Sequence, residues 1–209
     1  MGNSDTPAAM DRMTETFPPS FVPYEITICG LAELCEHSRR GVTHVVSILD
    51  PEHPDPEDFA AYLPHRRVLW RFDDVVHEIE GATAPGERDV RAILDLGEEL
   101  RAERVEHLLI HCHAGISRST ATAVILMAQN APGREVEVFV ELSRIRPQSW
   151  PNSRMVRIAD ELLGRGGALS NELIAHHRRV AGNHPELARA IARFGRAHEV
   201  PDLDQLLRG

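Results

Sequence analysis

Apolar and polar positions along the chain follow two repeats, one typical of strands and one typical of helices. Short apolar runs rich in β-branched residues predict buried strands at 24–29, 44–49, 68–72 and 105–112. Stretches that repeat apolar residues every three or four positions, or that keep good helix formers, predict helices at 31–39, 86–104, 120–128, 133–146 and 155–164. The first two strands flank the first helix, so the chain opens as a β-α-β unit.

Glycine and proline positions divide the chain into three parts. Residues 1–20 hold acids, prolines and small polar residues, and we expect them to form a flexible tail. The glycine cluster at 164–167 ends a helical pattern. A main domain is therefore predicted over 21–165 and a C-terminal helical extension over 166–209. Within the extension, Pro185 is placed to start a helix, and His176 and His177 are expected to face solvent.

Composition and charge narrow the possible partners. The 209 residues carry a net charge of −9, which argues against a general nucleic-acid or anionic-membrane binder because those surfaces favour a basic face. The first twenty residues contain no apolar stretch typical of a signal peptide or membrane span. Three cysteines without a C-x-x-C pair indicate a reducing, cytoplasmic location. Cys29 and Cys35 are expected to pack as small apolar groups, and a redox role with Cys112 is left open.

The stretch HCHAGISRS at 111–119 carries the clearest chemistry. It follows an apolar strand and precedes a helix, so the loop should offer unpaired backbone N–H groups and the positive end of a helix dipole to an anion. Cys112 begins the loop and Arg118 follows six positions later, so a curled loop can turn both towards one phosphoryl group. The electropositive setting favours the thiolate, a nucleophile able to form a cysteinyl-phosphate, while the guanidinium binds two oxygens.

A carboxylic acid near the leaving oxygen would complete this chemistry. The predicted strand at 68–72 runs directly into Asp73 and Asp74, and the carboxyl ends of parallel strands meet at one edge of a sheet. Either residue can therefore reach the Cys112 loop and protonate a leaving alkoxide or phenoxide. Residue types alone do not separate the two. The acidic, proline-rich loop at 50–58 is expected only to be solvated.

HCHAGISRS resembles the HC-x5-R-S/T signature of the cysteine-dependent protein tyrosine phosphatase superfamily, in a compact, dual-specificity-like bacterial form. The resemblance covers roughly residues 21–163. It implies a three-layer α/β fold with a mostly parallel central sheet flanked by helices. It also implies hydrolysis of phosphotyrosine, and of phosphoserine or phosphothreonine, in proteins through a cysteinyl-phosphate. No metal or other cofactor is expected.

The resemblance also implies roles for individual residues. The family's general acid lies upstream of the cysteine, and Phe72-Asp73-Asp74-Val75 matches the family pattern with the acid at Asp74. The loop residues His113, Ala114, Gly115, Ile116 and Ser117 would bind the phosphoryl group together with Arg118. Ser119 resembles the hydroxyl residue that donates to the cysteine sulfur, and the sequence also allows the same hydroxyl to cap the helix.

Two further residues are expected beside the loop. His111 either supports the backbone around Cys112 or makes a purely structural hydrogen bond. The segment from Arg146-Pro147 to Pro151-Asn152 is similar to a family segment near the phosphate loop, so Asn152 either orders that loop or serves as an ordinary helix N-cap.

Other functions remain open at this point. Phosphoinositide-directed relatives add lysines within the loop, and residues 113–117 contain none, which favours a single phosphoryl group on a protein side chain. A phosphoinositide, an RNA 5′-triphosphate or a non-catalytic phosphate-binding role are the alternatives. A metal site at His111-Cys112-His113 is disfavoured because neighbouring strand residues point to opposite faces. The expected partner is a phosphorylated protein, and the oligomeric state is left open.

Overall fold

Four parallel strands form the centre of the structure, a computed structural model that describes residues 21–202 and 204. The strands are β1 (Glu25–Cys29), β2 (His44–Leu49), β3 (Arg66–Arg71) and β4 (His107–His111). Their order in the sheet is β1-β4-β2-β3, so β4 lies between β1 and β2. Because every strand runs in the same direction, the segments after all four emerge at one edge.

Helices cover both faces of this sheet. They are α1 (Leu34–His37), α2 (Glu87–Ala102), α3 (Arg118–Gln129), α4 (Glu135–Ile145), α5 (Ser153–Leu162), α6 (Ala168–Asn183) and α7 (Pro185–Ile191). Successive side chains of β2 enter opposite cores, as the pleat requires. Val46 and Ile48 join the large core that includes α2–α5, whereas Val45 packs with Leu34 of α1. The predicted α/β fold with a parallel sheet is confirmed.

The first helix and the third strand depart from the apolar pattern. The helix expected at 31–39 is a 3₁₀ turn, Leu31–Glu33, followed by the single turn of α1. Strand β3 begins at Arg66, two residues before the apolar run, because the side chains of its first residues find polar partners: Arg66 pairs with Glu99 and Glu103, and Arg67 donates to Ser47. The tail expected over residues 1–20 lies outside the described residues.

Residues after the glycine cluster continue the packed structure. Leu169 and Leu173 of α6 belong to the large core, and Pro185 occupies the first position of α7. An irregular turn over Ala192–Arg196 and a 3₁₀ turn over Ala197–Glu199 follow. No helix within the described ranges combines the length and the apolar character needed to cross a bilayer.

The prediction that His176 and His177 face solvent is wrong, because both are buried. Helix α6 packs on the segment before α5, and the two histidines meet that segment. His176 Nε2 lies 3.0 Å from Ser149 Oγ, and the His177 ring stacks on Trp150 with centroids 4.1 Å apart. Burial lowers the pKa of His176 to about 4 and that of His177 well below its usual value.

The burial of these two rings predicts a loss of stability in mild acid. Between about pH 6.5 and pH 4 the unfolded chain binds a proton at each histidine and the folded chain does not, so the free energy of unfolding falls as the pH falls. Each histidine contributes up to about 1.4 kcal/mol per pH unit in that window. Urea unfolding at pH 7 and pH 5 measures the effect, and His176→Gln should reduce the slope. An unchanged slope in that variant would contradict neutral burial of His176.

Candidate active site

The loop between β4 and α3 carries the predicted nucleophile. Cys112 is 3% exposed, and its Sγ lies 3.2 Å from the hydroxyl of Ser119 in the first turn of α3. Gly115 allows the loop to curl, since its φ is +68° and a Cβ there would come within 2.4 Å of the Cys29 carbonyl carbon. The result is a loop pressed against the end of β1, with a buried thiol at its start.

Arg118 is fixed by groups from two other strands. Its Nη1 donates to the Asp50 carboxylate at 2.7 Å and to the Phe72 carbonyl at 2.6 Å. Asp50 directly follows β2, and Phe72 directly follows β3. The side chain is buried, and Nε has no hydrogen-bond partner among the described residues. Buried donors are normally paired, so a guanidinium anchored through Nη1 keeps Nε available for an oxyanion.

A second arginine, Arg146, binds carbonyl groups of the loop that follows Cys112. Arg146 forms a two-pronged ion pair with Glu33, at 2.8 Å for each N–O contact, and donates from Nε to the Gly115 carbonyl at 3.1 Å. It also reaches the Ala114 carbonyl at 3.3 Å. The hydrogen bonds from Arg146 lower the pKa of Glu33, so this pair is ionised at neutral pH. These contacts turn the carbonyls of the loop outwards, which leaves the N–H side of the backbone for an anion.

The two candidate acids occupy different surroundings. Asp73 accepts from the backbone N–H of Thr83 at 2.7 Å and thereby closes its own loop. Asp74 instead meets the phosphate loop, where its Oδ1 accepts from Ser117 Oγ at 2.7 Å and from Asn152 Nδ2 at 2.9 Å. Ser117 belongs to the loop that begins at Cys112. The geometry therefore favours Asp74 over Asp73 as the acid.

Two histidines flank the thiol, and neither is positively charged at neutral pH. His111 Nε2 lies 2.7 Å from Ser47 Oγ, which itself accepts from Arg67 at 3.0 Å, and burial lowers the pKa of His111 to about 4. Burial also lowers the pKa of His113, whose Nε2 accepts from the backbone N–H of Asp50 at 3.3 Å. These rings connect the end of β4 to β2, and they add no positive charge to the loop.

The remaining predicted residues act through backbone or cap contacts. The Ile116 carbonyl accepts from the backbone N–H of Trp150 at 2.8 Å, and the Ala114 carbonyl accepts from Arg146 as described above. Asn152 serves as the N-cap of α5, one of the two alternatives raised for it, and its amide also contacts the candidate acid. Its Oδ1 caps α5 by accepting from Met155 N–H at 3.2 Å, while its Nδ2 holds Asp74. One side chain thus joins the start of α5 to the acid.

The free cysteines show where redox chemistry would have to occur. Cys29 is buried in an apolar cluster at the end of β1, in register with His111, as expected. The expectation that Cys35 packs as an apolar group is wrong, because Cys35 is exposed. Burial raises the pKa of Cys29 to about 12, which keeps this thiol protonated at neutral pH and slow to react. A redox role for either residue stays a prediction.

Three functional residues were missed in the sequence. Asp50 was expected only to be solvated, which is wrong, because it anchors Arg118; its position directly after β2 is the same signal that drew attention to Asp73 and Asp74. Glu33 and Arg196 gave no such signal, because each lies far along the chain from its partner. Glu33 precedes Arg146 by 113 residues, and Arg196 follows Asp74 by 122 residues. Only the folded chain brings these pairs together.

Comparison with known proteins gives relatives in sequence. Residues of this chain are 26% identical to human "Protein phosphatase Slingshot homolog 3" over 194 residues, which cover 86% of this chain and 25% of the human protein. The mouse protein of the same name is 26% identical over 161 residues, with coverage of 72% and 21%. The chain thus spans about a quarter of the length of these relatives. No protein-family model matches it.

Solved structures give the fold. The human tyrosine phosphatase-like serine/threonine/tyrosine-interacting protein aligns with a TM-score of 0.51 and 17% identity, covering 70% of this chain and 95% of the human one. The PTP-2 phosphatase of Cydia pomonella aligns with a TM-score of 0.51 and 22% identity, covering 66% and 84%. This is the fold of the dual-specificity protein tyrosine phosphatases. The α/β fold implied by the resemblance of HCHAGISRS is thereby confirmed. Its parallel strands account for the shared edge at which Cys112, Arg118 and Asp74 are found.

Proposed function

We propose that this protein hydrolyses phosphomonoesters on protein side chains, principally phosphotyrosine and also phosphoserine or phosphothreonine, through a cysteinyl-phosphate. The observation that carries the proposal is Arg118, which is buried beside the Cys112 loop, anchored through Nη1 and without a partner at Nε. Asp50 already pairs with Nη1, but a buried donor without a partner at Nε calls for an acceptor, which a phosphoryl oxygen would supply. The relatives described as protein phosphatases support a phosphoprotein as the source of that anion.

The first chemical step transfers the phosphoryl group to sulfur. The Cys112 thiolate attacks phosphorus, an S–P bond forms, and the P–O bond to the leaving group breaks. Arg118 and the loop N–H groups stabilise the charge on the phosphoryl oxygens during the transfer. Ser119 Oγ, 3.2 Å from Sγ, donates to the sulfur while it is anionic.

Asp74 supplies the proton that the leaving oxygen needs. Ser117 and Asn152 both donate to Oδ1, so that oxygen is the one without a proton. The acidic hydrogen therefore sits on Oδ2 and passes to the leaving oxygen as the P–O bond breaks. In the second step Asp74, now a carboxylate, takes a proton from water, which attacks phosphorus. The S–P bond breaks, and inorganic phosphate and the Cys112 thiolate are released.

The charges around the loop support a single phosphoryl group as the substrate moiety. Residues 113–117 contain no lysine or arginine, and burial keeps His113 neutral. Asp50 pairs with Arg118 and offsets its charge, and Asp74 lies against Ser117 of the same loop. A polyphosphorylated lipid or an RNA 5′-triphosphate would place further negative charge near these carboxylates, which is unfavourable.

Three free cysteines support a reducing, cytoplasmic setting.

A substrate panel tests this function. Phosphotyrosine and phosphoserine peptides, phosphoinositides and 5′-triphosphate RNA are compared by release of phosphate, with and without chelator. We expect the peptides to be hydrolysed fastest, with no effect of chelator. Cys112→Ser should reduce turnover to background and still bind orthovanadate, whereas Cys35→Ser, at an exposed cysteine, should keep full activity. Turnover by the Cys112→Ser protein, or a preference for lipid or RNA, would overturn the proposal.

Substitution of the two neighbouring aspartates tests the identity of the acid. Asp74→Asn should slow hydrolysis of a phosphotyrosine peptide by about 10²–10⁴-fold, the usual contribution of a general acid. The loss should be smaller with p-nitrophenyl phosphate, because its leaving group departs readily without a proton. Asp73→Asn is the matched control and should have a lesser effect on both substrates. The larger loss in Asp73→Asn would move the acid by one residue.

A further inference from the structure

The chain returns to the active site after α7. The irregular turn over Ala192–Arg196 places Arg196 against the phosphate loop and the acid, although the residue lies 122 positions after Asp74. Arg196 as a residue is 5% exposed. Nη1 donates to Ser117 Oγ at 2.8 Å and lies 3.4 Å from Asp74 Oδ1. A residue of the C-terminal segment is thus in contact with the proposed catalytic machinery.

The hydrogen bond from Arg196 to Ser117 determines where the Ser117 hydroxyl hydrogen points. An arginine can only donate hydrogen bonds, so the Ser117 oxygen must accept from it. The Ser117 hydroxyl hydrogen then turns to its other neighbour, Asp74 Oδ1, at 2.7 Å. Without Arg196 the hydroxyl would be free to rotate and to accept from another group. Arg196 therefore fixes Ser117 as a donor to Oδ1.

We propose that Arg196 is a positioning residue for the general acid, which holds Asp74 through Ser117 so that Oδ2 carries the proton and faces the leaving group. This inference rests on the proposed phosphatase function and extends it to the C-terminal segment. Arg196 acts through Asp74 and not on the substrate. The active site is therefore completed by residues beyond the glycine cluster at 164–167.

A buried cluster keeps Arg196 in place. Glu199 Oε2 accepts from Arg196 Nε at 2.6 Å and from Trp150 Nε1 at 3.1 Å, and all three side chains are buried. Trp150 stacks on His177 of α6. The ion pair with Glu199 offsets the cost of burying the guanidinium. Since Glu199 occupies Nε, Nη1 remains directed at Ser117 and the acid.

A second contact joins the same segment to the acid loop. The rings of His198 and His77 have centroids 5.3 Å apart, and His77 follows Asp74 by three residues. The C-terminal segment therefore meets the acid loop at two places, through Arg196 and through His198. These contacts limit how far the loop over 73–83 can move from the phosphate loop.

Steady-state kinetics of the 209-residue protein separate positioning from a merely structural role. Arg196→Met should lower kcat for a phosphotyrosine peptide by about 10- to 100-fold, a part of the contribution of the acid, with little change in KM. The loss with p-nitrophenyl phosphate should be several times smaller. Arg196→Lys should restore part of kcat because the ammonium can also donate to Ser117. Arg193→Met removes an exposed arginine of the same turn and is the matched control.

The Asp74→Asn background shows whether Arg196 acts through the acid. If it does, Arg196→Met should cause little further loss there, because the group it positions is already gone. Hydrogen exchange of the backbone over 73–83 gives a readout that needs no turnover, and we expect faster exchange in Arg196→Met than in Arg193→Met.

The outcomes distinguish this inference from the proposed function. Equal losses for both leaving groups, or the same loss in the Asp74→Asn background, would overturn the positioning role while leaving the phosphatase function intact. If the wild-type protein shows no Cys112-dependent hydrolysis, the proposed function fails. Hydrogen exchange is then the only test of the role of Arg196. Exchange over 73–83 that is unchanged in Arg196→Met would show that Arg196 does not position the acid loop.

Discussion

The arrangement of the site depends on the anchoring of the Arg118 guanidinium by Asp50 and the Phe72 carbonyl. A buried positive charge is costly unless it is paired, and these two acceptors come from the ends of β2 and β3. The strand order puts β2 directly between β3 and β4, whose end carries the phosphate loop. The parallel sheet therefore delivers the anchor, the loop and the acid to one edge.

Directional hydrogen bonds assign different tasks to the two oxygens of Asp74. Oδ1 receives Ser117 and Asn152, which belong to the phosphate loop and to the cap of α5. An oxygen that accepts two donors is held still and unprotonated, so in the proposed mechanism the proton and its transfer belong to Oδ2. The same network favours Asp74 over Asp73, because the Asp73 carboxylate accepts from the Thr83 N–H instead.

Most of the fold and the centre of the site could be predicted from the sequence. Apolar runs located the strands, and HCHAGISRS identified the loop, because both signals are local. Contacts that depend on tertiary packing could not be found in this way. The ion pair of Glu33 with Arg146 and the contact of Arg196 with Ser117 join distant segments. His176 and His177 were misplaced because a polar side chain gives no sign that a neighbouring segment will cover it.

Detection of the covalent intermediate tests the account most directly. The protein is mixed with p-nitrophenyl phosphate, quenched in acid within one turnover, and digested for mass spectrometry. The account predicts a phosphoryl group on Cys112, formed as fast as p-nitrophenol is released and absent in Cys112→Ser. Steady release of p-nitrophenol with no phosphoryl group on Cys112 would contradict it.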